Sequence, residues 1–199
     1  MKSVHIIGDS ISIHYGPYLK KYIQNRLIYS RKEGSEENLD LPEGANAGDS
    51  SMVLEYLNKC KSENLRWDIV VINCGLHDIK KINGVYQINI DNYQQNLQTI
   101  FDILKELFKK IVWVSTTPVI DEIHNSRKKE FQRYNEDVVR YNKVADRIAE
   151  VNNAYIVDLY SFCKTLGNSE IYQDHVHFIT EVQKLQAAFI AGYLLSLIR

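Results

Sequence analysis

Continuous apolar runs alternate along the chain with stretches in which apolar residues return every third or fourth position. The first is the pattern of a buried strand, the second that of an amphipathic helix. Val4-His5-Ile6-Ile7 reads as a short strand ending at Gly8. A helical pattern follows, with Tyr18, Ile23 and Leu27 among its apolar positions and Pro17 placed in its first turn. Residues 30–38 are charged and without apolar punctuation, which predicts a surface loop. Residues 46–51 form a turn and a helix start, with Asp49 or Ser50 as N-cap and Val53, Leu54 and Leu57 on the buried face.

Residues 68–74 are the clearest strand, and their continuous apolar run signals burial on both faces, as in a parallel sheet. A helix over 91–109 leads to a second buried strand over 111–115, which stops at Thr116-Thr117-Pro118. Phe131, Tyr134, Val138, Tyr141, Ala145 and Ile148 predict one long helix over 127–151. A strand over 154–159 and a helix over 181–198 complete the pattern. Alternation without repeat or linker predicts a three-layer α/β/α sandwich around a parallel sheet. In such sheets ligands bind beyond the carboxyl ends of the strands. Gly8-Asp9-Ser10, Gly75-Leu76-His77-Asp78 and Thr116-Thr117-Pro118 all fall at such ends.

The 199 residues suit one domain spanning 1–199. A net charge of −1 gives no reason to expect nucleic acid or an anionic membrane as partner. The basic run Arg127-Lys128-Lys129 is followed at once by Glu130 and reads as the polar face of a helix. Cys60, Cys74 and Cys163 offer no CxxC or Cys/His pair at zinc spacing, so no metal is expected. The first strand begins too early to leave room for a signal peptide, which points to the cytoplasm. The apolar stretch 187–198 is shorter than the ~20 residues that cross a bilayer, so no membrane span is expected. Oligomeric state has no signature in the sequence.

The chemistry lies at the two ends of the chain. Ser10 follows a strand and opens a helix; Asp174 and His177 stand three residues apart near the far end. A serine hydroxyl becomes a nucleophile when a base takes its proton, and the base needs a carboxylate to orient its ring. Asp174 and His177 can share one loop, one ring nitrogen meeting the carboxylate and the other facing Ser10. The helix N-terminus favours developing negative charge at Ser10. Candidate oxyanion donors are the backbone N–H of Ser10, that of Gly48, and a side chain from residues 75–78.

In these four blocks the sequence resembles the SGNH, or GDSL, hydrolase family. Gly8-Asp9-Ser10 matches the nucleophile block, Gly48 the glycine of the second, and Asp174-His175-Val176-His177 the Asp-x-x-His block. Gly75-Leu76-His77-Asp78 lies where the family has Gly-x-Asn-Asp. The resemblance implies a flavodoxin-like fold, Ser10 as nucleophile, His177 as base and Asp174 as its partner, with no cofactor. It implies Gly48 and the residue at position 77 as further oxyanion donors. His77 stands in the Asn position, so the oxyanion hole is expected to use an imidazole there. The function expected is hydrolysis of carboxylic esters, short acyl groups such as acetyl, on a small molecule or carbohydrate. Acyltransfer, lysophospholipid or thioester cleavage, and carbohydrate binding without catalysis are the alternatives.

Simpler roles compete at several positions. Ser10 could cap the first helix. Asp9 reads as a loop-ordering residue and Asp78 as a turn cap or a brace for the oxyanion loop, both at the edge of the substrate cleft. His14 sits near enough to the nucleophile to touch substrate or is an ordinary helix position. His175 lines the cleft rather than serving as base.

Overall fold

The computed structural model describes residues 1–35, 39, 41–42 and 44–198. Five parallel strands form the central sheet: β1 (Lys2–Ile7), β2 (Leu27–Arg31), β3 (Trp67–Ile72), β6 (Phe108–Val114) and β7 (Tyr155–Val157), in the spatial order β2-β1-β3-β6-β7. The three central strands are the continuous apolar runs. Val4 pairs with Ile69, and Ile72 with Trp113, each buried between two helical layers. Helices α1 (Ser10–Ile23) and α7 (Thr180–Ser196) pack together on one face. Helices α2 (Ser50–Ser62), α3 (Ile90–Leu107) and α5 (Asn135–Val151) cover the other. The result is the α/β/α sandwich that the alternation implied. Among the described residues no helix is long and apolar enough to cross a membrane.

Five expectations need correction. Leu27 does not continue the first helix: α1 stops at Ile23, and Leu27–Arg31 is the edge strand β2, in register with β1 from Lys2↔Leu27 to Ile6↔Arg31. The loop expected over 30–38 therefore begins after Arg31, and its residues 36–38 lie outside the described set. Pro17 sits inside α1, not in its first turn, at an exposed position where its ring meets solvent rather than core. The helix expected over 127–151 is two, α4 (Asp121–Arg127) and α5, because the intervening chain pairs with β4 (Lys81–Ile82). Lys81 and Gln132 exchange both backbone hydrogen bonds at 2.8 Å, which a helix there would forbid. Leu159 likewise leaves the last strand and opens α6 (Leu159–Leu166), with Asp158 as its N-cap. β4 and β5 (Val85–Tyr86) form a small hairpin that the periodicity does not signal.

Candidate active site

The first strand delivers the chain to the sheet's carboxyl rim, and Asp9 converts it into a helix. Its side chain accepts the Ile11 N–H at 3.0 Å, so Asp9, not Ser10, is the N-cap. Ser10 is thus the first residue of α1, where backbone N–H groups lack intrahelical acceptors and the helix dipole is positive. Its hydroxyl is freed from capping duty and meets His177 Nε2 at 2.8 Å.

His177 is held from the other side by Asp174. Nδ1 donates to Asp174 Oδ2 at 2.7 Å, which leaves Nε2 as the acceptor for the Ser10 hydroxyl. Asp174 Oδ1 takes the backbone N–H groups of Val176 (2.9 Å) and His177 (2.8 Å) and meets His175 Nδ1 at 3.2 Å. Burial pushes this carboxyl up, but the two imidazoles and two N–H groups outweigh it and hold the group well below the usual carboxylate range. The loop is closed by Gln173 N–H on His177 O (2.9 Å) and by Tyr172, whose hydroxyl donates to Pro118 O at 2.8 Å. A hydroxyl, an imidazole acceptor and an anionic carboxylate in line can generate an alkoxide and stabilise the imidazolium that results.

Two loops complete the rim. Gly48 has φ +72°, the left-handed region, and its N–H donates to Asn46 Oδ1 at 2.9 Å. Ala47 N–H on Gly8 O (3.0 Å) ties this loop to the end of β1. His77 is buried, and its imidazole is kept neutral by burial first and then by the charges of Lys80, Arg133 and His177. His77 Nε2 lies 3.5 Å from Asn46 Nδ2, a donor, which favours the tautomer with the proton on Nδ1. That Nδ1 has no hydrogen-bond partner among the described residues.

Asp78 is fully buried and does not line a cleft, contrary to expectation. Its Oδ1 accepts the Ser50 N–H at 2.9 Å, bracing the 75–78 turn against the start of α2, and burial raises its pKa to about 7. Asp9 is also buried, facing a small cavity with Ser12, Tyr15, Asn73 and Thr117. His14 does reach the site: its ring lies 4.7 Å from that of His177. His175 is beside His177 too, edge-on at 5.6 Å. Among the described residues Asp174, His175 and His177 are the one set whose donor atoms gather closely enough, within 4.8 Å, to ligate a metal.

Three participants carry no sequence signal. Arg31, in a segment expected to be loop, donates to Ser12 O (3.1 Å), Ser12 Oγ (3.3 Å) and Ala45 O (3.3 Å), joining the helix that Ser10 opens to the Gly48 loop. Arg133 is buried and donates through Nε to Leu76 O at 2.6 Å. His124 is buried against His175, ring centroids 5.0 Å apart.

The model of a family described as GDSL-like Lipase/Acylhydrolase matches residues 6–185. No curated protein sequence matches the chain. Among solved structures, a lipase/acylhydrolase from Enterococcus faecalis superposes with a TM-score of 0.76 at 19% identity, covering 100% of this chain and 98% of that one. An acetyl xylan esterase gives 0.71 at 16% identity over 96% and 99% of the two chains. The acetylxylan esterase Axe2 of Geobacillus stearothermophilus gives 0.64 at 19% identity over 99% and 94%. At these identities the superpositions speak for the fold.

Proposed function

Since the chain belongs to the GDSL-like lipase/acylhydrolase family and is an ester hydrolase, we propose that it works through an acyl-serine intermediate on Ser10 and prefers short acyl esters of carbohydrates or other small alcohols. The observation that carries the reading is the line Ser10 Oγ–His177 Nε2 (2.8 Å) and His177 Nδ1–Asp174 Oδ2 (2.7 Å). Ser10 Oγ attacks the ester carbonyl while its proton passes to His177 Nε2; the same proton then goes to the departing alcohol. Water repeats the cycle, giving up its proton to Nε2 and releasing the acid. Asp174, held anionic, stabilises the imidazolium in both halves.

The oxyanion takes the Ser10 N–H, the His77 imidazole and the Gly48 N–H, the last shared with Asn46 Oδ1. His77 replaces an amide donor with a neutral ring N–H, so the hole carries no added charge. Two structural neighbours are described as acetyl xylan esterases, which makes acetylated xylo-oligosaccharides the first carbohydrate to try. The test is a p-nitrophenyl ester series of increasing acyl length beside acetate release from acetylated xylo-oligosaccharides. Acetyl should be cleaved best, and Ser10→Ala should abolish turnover; a rate that rises with chain length refutes the short-acyl preference.

A further inference from the structure

Beside the Asp174–His177 loop the rim holds an open cavity of about 290 Å³. One wall is the chain that leaves β6, from Pro118 to Glu122. The other is the end of α6 and the turn after it, with Lys164, Asn168, Ile171 and Tyr172. Both walls are held by hydrogen bonds of their own. Asp121 Oδ1 accepts the Asn135 N–H at 2.7 Å, and Asn135 Oδ1 accepts the Val119 N–H at 3.3 Å. Tyr172 is fixed at both ends: its hydroxyl donates to Pro118 O at 2.8 Å, and its ring packs on Phe178 with centroids 4.6 Å apart. A preformed hollow of this size is at the lower end of small-molecule sites, about 300–1,000 Å³.

The lining selects the ligand. Pro118, Ile171 and Tyr172 offer apolar surface, and around them stand the Asp121 and Glu122 carboxylates, the Lys164 ammonium and the Asn168 amide. An anion would face two carboxylates there, and a metal ion an ammonium. A neutral polyol meets neither penalty. Each of its hydroxyls both donates and accepts, so carboxylate, amide and ammonium can all serve it. The C–H face of a sugar ring suits the tyrosine and proline surface.

The backbone ties the cavity to the catalytic loop. Tyr172 pairs with Phe178 across a β-bridge, Ile179 N–H donates to Ile171 O at 3.0 Å, and Gln173 N–H donates to His177 O at 2.9 Å. Across that bridge the Cα of Tyr172 lies within about 10 Å of that of His177. The loop between them presents Gln173, which is exposed, and Asp174, whose side chain is 41% exposed. The departing alcohol takes its proton from His177 Nε2, so a substrate that extends over this accessible surface into the cavity does so with its alcohol part.

We propose that the cavity is a sugar subsite, holding a neutral saccharide unit one or two units removed from the acylated one. The favoured substrate is then an acylated oligosaccharide rather than an acylated monosaccharide. Tyr172 and Pro118 supply the platform, and Asp121, Glu122, Lys164 and Asn168 take the hydroxyls. The proposal rests on the esterase reading above.

The test compares p-nitrophenyl acetate with acetylated xylose and xylotriose, and with acetylated glucose and cellotriose. In at least one sugar series kcat/KM should rise about tenfold or more from the monosaccharide to the trisaccharide, the gain expected of two or more new hydrogen bonds. Glu122, Lys164 and Asn168 are exposed, so their replacement leaves the core untouched. Glu122→Ala, Lys164→Ala and Asn168→Ala should each lower the trisaccharide-to-monosaccharide ratio about threefold to fivefold. Lys105→Ala, exposed on α3 at the opposite end of the sheet, should leave the ratio in place. A ratio near one in both series, or a ratio untouched by all three cavity variants, overturns the subsite; the esterase reading then stands on hydrolysis of p-nitrophenyl acetate. Failure to hydrolyse any of these esters overturns the esterase reading, and the subsite with it.

Discussion

Asp78→Asn should change how stability depends on pH. Burial, more than any neighbour, raises the Asp78 carboxyl from 3.8 to about 7 against the hydrogen bonds from Ser50. A carboxyl with a higher pKa folded than unfolded binds its proton more tightly in the native state. Its contribution is therefore fully present below the unfolded pKa and is lost as pH rises through the folded value. Each pH unit between the two values is worth about 1.4 kcal/mol, so the group withdraws about 3 kcal/mol between about pH 5 and pH 8. Asparagine keeps the acceptor for the Ser50 N–H. It places an amide N–H₂ where Oδ2 has no partner among the described residues, a penalty of about 1–3 kcal/mol that does not vary with pH. Urea unfolding of both proteins across that window measures the difference directly. Other titrating groups cancel in it, including Asp146, raised to about 6, and His5, lowered to about 4. The wild type should lose about 3 kcal/mol relative to the variant as pH rises; parallel curves would mean that Asp78 is ionised throughout and that the burial argument is wrong.

His77→Ala should lower kcat on an acetate ester by about 10²-fold, with His77→Asn recovering part of the loss; a loss of under about threefold rejects the donor role. Because burial keeps the ring neutral, that loss should be the same at pH 6 as at pH 8. Gly48→Ala should lower both Tm and kcat. The left-handed backbone costs about 1–2 kcal/mol, and an added Cβ meets Met52 Sδ and lies 2.9 Å from Pro42 Cβ. Arg31→Met should reduce kcat with little change in KM, because Arg31 aligns the Ser12 and Ala45 segments without facing substrate; Arg31→Lys, unable to fork, should not rescue it.

The legible parts of the molecule were those whose signal is local. β1, β3 and β6 announce themselves because burial on both faces leaves no polar alternation. β2 does not: at the sheet edge only Leu27 is fully buried, and its spacing from Ile23 imitates another helical turn. The break between α4 and α5 carries no Pro or Gly, since it is imposed by pairing with Lys81, far away in sequence. At the site, Asp174 and His177 could be read together because three residues separate them and one turn supplies the geometry. Arg31, Arg133 and His124 could not, because nothing in their own neighbourhoods points to Ser12, Leu76 or His175. Ser10 offers a cap by its residue type, but Asp9, which reads as a loop-ordering residue, is the one that precedes the helix and takes the role.

The central claim is that Ser10 is a nucleophile activated by His177. Treatment with a fluorophosphonate, followed by peptide mass mapping, tests it without knowledge of the substrate. Wild-type protein should carry one adduct, on Ser10. Ser10→Ala should carry none, and His177→Ala should label slower by about 10³-fold or more, the scale on which a serine loses reactivity without its base. An unlabelled wild type, or an adduct that persists in Ser10→Ala, would contradict the account.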